Sequence, residues 1–133
     1  YRRNGQDVRK VVDALGLSPV LNQRVGRLSK GWRRRLLVAI GLLTPQPVLL
    51  MDEAFDGFDL RQTRDAIKIL RDVAAKGRTL ILSLHQLADA ERICDRYVLL
   101  SNGAVAGEGT LAELRKQARI EDGGLEEVFL ALS

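Results

Sequence analysis

The sequence predicts an α/β fold built on a parallel strand pair, and three stretches predict it. Val48 to Met51 is an apolar run that delivers two adjacent carboxylates, Asp52 and Glu53, with Asp56 and Asp59 following closely; it reads as a buried strand ending in a charged loop. Ala66, Ile67, Leu70, Val73 and Ala74 then keep helical spacing up to Gly77, with Asp59 placed to cap that helix. Thr79 to Leu84 is a second apolar, β-prone run, and it ends at His85. Strand, helix and strand with short joints make a βαβ unit, so the two strands should be parallel neighbours with a right-handed crossover. Carboxylates at the C-terminal end of a strand in an open α/β sheet lie where such folds bind ligands. The same run also fits a core strand entering a solvated acidic turn, so the rest of the chain has to decide.

With 133 residues, 46% hydrophobic and 29% charged, the chain has the composition of a globular protein with a real core. Its longest apolar run, Leu36 to Leu43, falls far short of the ~20 residues of a spanning helix, so a membrane would enter through a partner. Twenty-one Lys and Arg against 17 Asp and Glu give a net charge of +4, which is compatible with nucleic acid or acidic lipid but modest for this length. The single cysteine, Cys94, excludes an internal disulfide and fits a reducing cytoplasm. Tyr1-Arg2-Arg3-Asn4-Gly5 has no signal-peptide pattern, and the only methionine is Met51; the chain is expected to be a fragment.

The remaining elements follow from spacing. Val8, Val11, Val12 and Leu15 define one face of a first helix, with Gly16 where it should stop. Ser29 is a natural N-cap for a segment whose Leu36, Leu37, Ala39, Ile40 and Leu43 predict a broad apolar face, and Thr44-Pro45-Gln46-Pro47 ends it. Leu87, Ala90, Ile93 and Cys94 predict a short helix. Asn102-Gly103, between Tyr97–Leu100 and Ala104–Ala106, is a hairpin signal, and Thr110 with Glu113 is a capping box. Leu125, Val128, Phe129 and Leu132 predict a terminal helix, after a linker over Glu121 to Gly124. Arg33, Arg34 and Arg35 point about 100° apart on a helix, which predicts a mostly solvated helix start rather than a nucleic-acid stripe. Cys94 reads as core packing.

Three features line up: a Ser-x-Gly helix start at Ser29, the strand carrying Asp52 and Glu53, and a lone histidine after the next strand. In this order the chain resembles the nucleotide-binding subunit of ABC transporters. LSKGW at Leu28–Trp32 is similar to that family's LSGGQ signature, VLLMDE at Val48–Glu53 to its Walker B strand, Phe55–Asp59 to its D-loop and His85 to its switch histidine. Cys94-Asp95-Arg96, the hairpin, Glu108-Gly109-Thr110 and the tail Leu125-Glu126-Glu127-Val128-Phe129 resemble its ABC-2 type exporters in particular.

The resemblance implies part of a P-loop NTPase-like parallel sheet with flanking helices. Residues 1–47 would be a portion of the helical signature subdomain, 48–109 the Walker B, D-loop and switch-histidine part of the core with its hairpin, and 110–133 a helical tail. It implies ATP and Mg²⁺ as cofactors. Asp52 would hold the metal, Glu53 would act as general base, and His85 would contact the γ-phosphate. Ser29, Lys30 and Gly31, at a helix N-terminus, would seat the phosphate of ATP held by a second ATP-binding subunit, and Asp59 would link the two sites. The other partners implied are transmembrane permease subunits, with the protein peripheral on the cytoplasmic face of the cell membrane; nucleic acid is not favoured. The alternatives are a soluble ABC-type ATPase acting on nucleic acid or the ribosome, and a non-enzymatic interaction module.

The chain departs from the family pattern at Lys30, where a glycine is usual, at Trp32 for glutamine, at Ala54 for proline and at Asp56 for serine. It also contains no GxxxxGK followed by Ser or Thr, the loop whose backbone N–H groups wrap the phosphates. The fragment alone is therefore expected to be inactive. Tyr1 lies too close to the signature to be the family's nucleotide-stacking aromatic.

Overall fold

The computed structural model describes residues 5–133, so Tyr1 lies outside the described residues. The chain divides into two compact units, residues 1–84 and 85–133.

In the first unit, helices α1 (Gly5–Ala14), α2 (Lys30–Leu43) and α3 (Leu60–Ala75) accompany two parallel strands, β1 (Val48–Asp52) and β2 (Thr79–Ser83). The strands pair in register from Val48–Thr79 to Asp52–Ser83, the predicted arrangement of the βαβ unit. Helix α1 ends where Gly16, at φ 61°, lets the Leu17 N–H return to the Val12 carbonyl at 2.8 Å. Val8, expected on its buried face, is exposed, while Leu15, Leu17 and Val20 are buried.

Helix α2 is capped by Ser29, whose Oγ accepts from the Trp32 N–H at 3.4 Å. Its apolar face is narrower than the sequence predicts. Arg35, Val38, Ala39 and Leu42 form the buried i, i+3, i+4, i+7 stripe, whereas Leu37 and Ile40 project into solvent. The far end of α2 is held from a distance: the Arg78 guanidinium donates to the carbonyls of Leu42 at 3.0 Å and Gly41 at 3.3 Å. Gly41 allows α2 to lie close on β1, since a Cβ there would come within 3.1 Å of the Leu49 side chain.

The strands are not buried as predicted. Both alternate between exposed and half-buried residues because helices cover one sheet face, and Val48, Leu50 and Ile81 are exposed on the other. Leu50 is 71% exposed.

The second unit comprises α4 (Leu87–Ile93), the antiparallel pair β3 (Tyr97–Ser101) and β4 (Ala104–Gly109), α5 (Leu111–Ala118) and α6 (Leu125–Leu132). Asn102 and Gly103, at φ 51° and 77°, make the predicted tight turn. Pairing of Leu99 with Gly107 and Leu100 with Val105 leaves Ala106 as a bulge. Leu99, Leu114, Leu125 and Val128 are buried, and a Cβ at Gly107 would fall 2.8 Å from Leu132 and 2.9 Å from Leu114.

The capping box at Thr110 is present: Glu113 Oε2 accepts from the Thr110 N–H at 2.7 Å while the Thr110 hydroxyl accepts from the Glu113 N–H. The backbone and hydroxyl donors of Thr110, then the Arg96 guanidinium, hold the Glu113 carboxyl below the usual carboxylate range. Residues 121–124 are tied down rather than a loose linker. Arg115 Nε donates to the Gly123 carbonyl at 2.7 Å, and the Leu125 N–H donates to Glu91 of α4 at 3.0 Å. Cys94 is half-buried at the end of α4.

Candidate functional site

The site is built where β1 ends. Asp52 is the last strand residue and is exposed. Glu53 follows with φ 47°, in the left-handed region, its N–H bonded to the Ser83 carbonyl of β2 at 3.0 Å and its own carbonyl accepting from the Asp56 N–H at 3.0 Å. A glutamate has no local side-chain device that favours this conformation, so it is held there by its neighbours, a form of strain that clusters at functional sites. Glu53 is exposed.

The first two turns of α2 lie against the loop that follows. Lys30 Nζ is 2.8 Å from Asp56 Oδ2, and Arg34 reaches the Glu53 carboxylate at 3.9 Å. Between these pairs, a Cβ at Gly31 would stand 3.0 Å from the Gly57 carbonyl oxygen, so glycine is what lets the helix start approach the loop backbone. Arg35 is only 9% exposed. Its guanidinium stacks 4.2 Å from the Trp32 ring centroid and 5.7 Å from that of Phe58, which in turn lies 6.2 Å from Phe55. Arg35 also lines a cavity of about 220 Å³ with Gly16, Phe58 and Asp59.

Asp59 closes the loop as the N-cap of α3. It accepts from the Gln62 N–H at 2.8 Å while Gln62 Oε1 accepts from the Asp59 N–H at 3.0 Å. His85 is exposed and is the first residue of the second unit.

Within the first unit, Lys30 and Gly31 at the start of α2 thus meet the loop after Glu53 by direct contacts, at Asp56 and Gly57, while Ser29 caps the helix. Two contributors escape sequence reasoning, Arg34 and Arg35, and Gly57 and Phe58 are legible only as members of the D-loop-like stretch. The sequence predicts a solvated position for Arg35; in the structure it is buried beside two aromatic rings, Trp32 and Phe58, that are far apart in sequence. A signal did exist in the two departures Lys30 and Asp56, of opposite charge, which meet each other.

For Mg²⁺ the residues present fit. This ion takes one or two carboxylates and completes its octahedron with phosphate oxygens and water, so a single exposed strand-end carboxylate such as Asp52 is an ordinary donor. Among the described residues no group of three or more His, Cys, Asp or Glu could form an all-protein cage, which is the other kind of site. Among them, too, no helix is long and apolar enough to cross a membrane.

Residues 3–56 match the family described as ABC transporter. The chain is similar to the ABC-type transporter ATP-binding protein EcsA of Bacillus subtilis (strain 168), 32% identical over 105 residues that cover 79% of this chain and 42% of that protein. It is also similar to the thiamine import ATP-binding protein ThiQ of Jannaschia sp. (strain CCS1), 38% identical over 112 residues covering 81% of this chain and 49% of the relative. The fluoroquinolones export ATP-binding protein Rv2688c of Mycobacterium tuberculosis (strain ATCC 25618 / H37Rv) is 33% identical over 129 residues, 90% of this chain and 43% of that one. A solved structure titled as the ATP binding subunit of an ABC transporter superposes with a TM-score of 0.85 at 29% identity, over 99% of this chain and 57% of its own. The chain thus spans about half the length of the curated relatives it matches, and the partial P-loop NTPase-like α/β fold is that of the solved subunit. The chain belongs to the ATP-binding domain family of ABC transporters.

Proposed function

We propose that this chain is the signature and Walker B part of an ATP-hydrolysing subunit that couples Mg-ATP hydrolysis to transport across a membrane. The observation that carries the proposal is Glu53. It sits at a strained left-handed position at the end of a parallel strand, exposed, in a loop contacted by the helix that Ser29 begins.

Asp52 would hold Mg²⁺, which when bound neutralises charge on the phosphates. Glu53 would take the proton of the attacking water, a role that requires an ionised and accessible carboxylate. Ser29 and Gly31 would present the open N–H groups of the α2 N-terminus to the γ-phosphate of a nucleotide held by a second subunit. Lys30 belongs to that turn, and its charge is already engaged by Asp56. His85 would contact the same phosphate, and Asp59 would face the second subunit. Phosphoryl transfer needs positioning and charge neutralisation more than covalent chemistry, so groups drawn from several loops and two subunits suffice.

The permease partners and a place on the inner face of the cell membrane come with this reading. So does the division into 1–47, 48–109 and 110–133 as signature, core and tail portions. Relatives named for import and for export both match, so the matches favour neither direction of transport.

The phosphate cradle is not in this sequence, which sets the test. Calorimetric titration of the 133-residue chain with Mg-ATP should give weak or no binding and no steady phosphate release. Extension upstream through a Walker A should bring both. Tight binding and turnover by the 133-residue chain itself would overturn the proposal.

A further inference from the structure

We infer that Lys30 is a positioning residue that acts through Asp56, clasping the signature turn to the loop that carries Glu53 and Asp59, rather than a phosphate ligand; the catalytic side of this inference rests on the function proposed above. Lys30 and Asp56 are both departures from the family pattern, and they find each other at 2.8 Å. The Asp56 side chain is half-buried, 28% exposed, whereas that of Lys30 is 78% exposed, so the lysine reaches across to the less exposed carboxylate.

The pair does not stand alone. Gly31 touches the Gly57 backbone beside it, Arg34 approaches Glu53 one turn on, and Arg35 fills the space between Trp32 and Phe58. Four successive contacts therefore join residues 30–35 to residues 53–58. An exposed ion pair by itself contributes little to stability. Here it closes the outer end of a contact whose inner end is the buried Arg35, so its loss should free the loop rather than unfold the unit.

The geometry makes two claims that can be separated. The first concerns the loop. In the 133-residue chain, Lys30→Glu and Asp56→Lys should each speed amide exchange over residues 53–59 by about fivefold, the equivalent of ~1 kcal/mol. Exchange within α3 should not change, and the double swap should restore protection. Lys30→Met and Asp56→Asn, which keep size and remove charge, should give the same loosening and serve if a reversed charge prevents folding. The emission of Trp32, the sole tryptophan, should shift in the single variants and return in the swap. Unchanged exchange in the neutral variants, or a double swap no better than the singles, overturns the clasp.

The second claim concerns turnover by the intact subunit. Lys30→Met should lower kcat by about fivefold with KM for ATP unchanged, and the charge swap should recover it. A raised KM that the swap does not correct makes Lys30 a phosphate ligand and overturns the inference. Should Glu53→Gln leave turnover intact, the functional reading fails while the exchange result still decides the clasp.

Discussion

Glu53 and Asn102 adopt the same left-handed backbone, at φ 47° and 51°, each just beyond the end of a strand. Their causes differ. Asn102 precedes Gly103 in a two-residue hairpin, where asparagine and glycine are the residues that a turn with two positive φ angles favours. Glu53 has neither the side chain nor the turn to justify its conformation. It is held by the Ser83 and Asp56 backbone bonds, and its carboxylate stays exposed toward Arg34. One position is explained by local chemistry, and the other asks for a reason beyond the fold.

The contrast extends to the two units. The second closes mainly on local devices, the Thr110–Glu113 box and the Arg115 tie to Gly123, with one distant bond, from the Leu125 N–H to Glu91. The first draws on distant residues, Arg78 for the end of α2 and Asp56 for its start.

The largest expected effect on stability tests the packing of the second unit. Gly107→Val should cost about 3 kcal/mol, because its side chain would be driven into Leu114 and Leu132; urea unfolding followed through Tyr97 measures it. Arg78→Met should cost about 2 kcal/mol in the first unit by removing charge-assisted bonds to α2, and a smaller loss than an exposed arginine gives would break the claim of a distant tie. Glu53→Gly should raise stability by about 1 kcal/mol by relieving the left-handed residue. Asn102→Gly should change it by less than about 0.5 kcal/mol. Equal effects at the two positions would erase the comparison between them.

The smallest effect is a pH dependence at α5. The Glu113 pKa is lowered by its Thr110 hydrogen bonds and by Arg96, so the folded state binds that proton less readily than the unfolded chain. Its contribution is present above the ordinary carboxylate range and lost as pH falls through the lowered folded value. Glu113→Gln should flatten the acid side of the stability profile of the second unit, as measured by thermal unfolding between neutral and acid pH.

Much of this architecture was legible. The βαβ unit, the Asn102-Gly103 turn and the Ser29, Asp59 and Thr110 caps follow from local patterns, because caps and turns are decided within a few residues. What escaped depends on partners far apart in sequence. Burial of Arg35 needs Trp32 and Phe58 together, and Arg78 needs the end of α2. The exposure of Leu37, Ile40 and Leu50 depends on which neighbouring elements cover a face, which periodicity does not state. Order along the chain is what marks the candidate residues. Contact between the signature turn and the Glu53 loop came from the three-dimensional packing.

The central claim is that the Asp52–Asp59 loop performs chemistry rather than merely ending a strand. Its most direct test is steady-state ATP turnover by the intact subunit carrying Glu53→Gln, with thermal unfolding measured alongside. The account predicts turnover reduced by at least about 100-fold with the melting temperature unchanged. Turnover within about twofold of the parent, in a variant that folds normally, would contradict it.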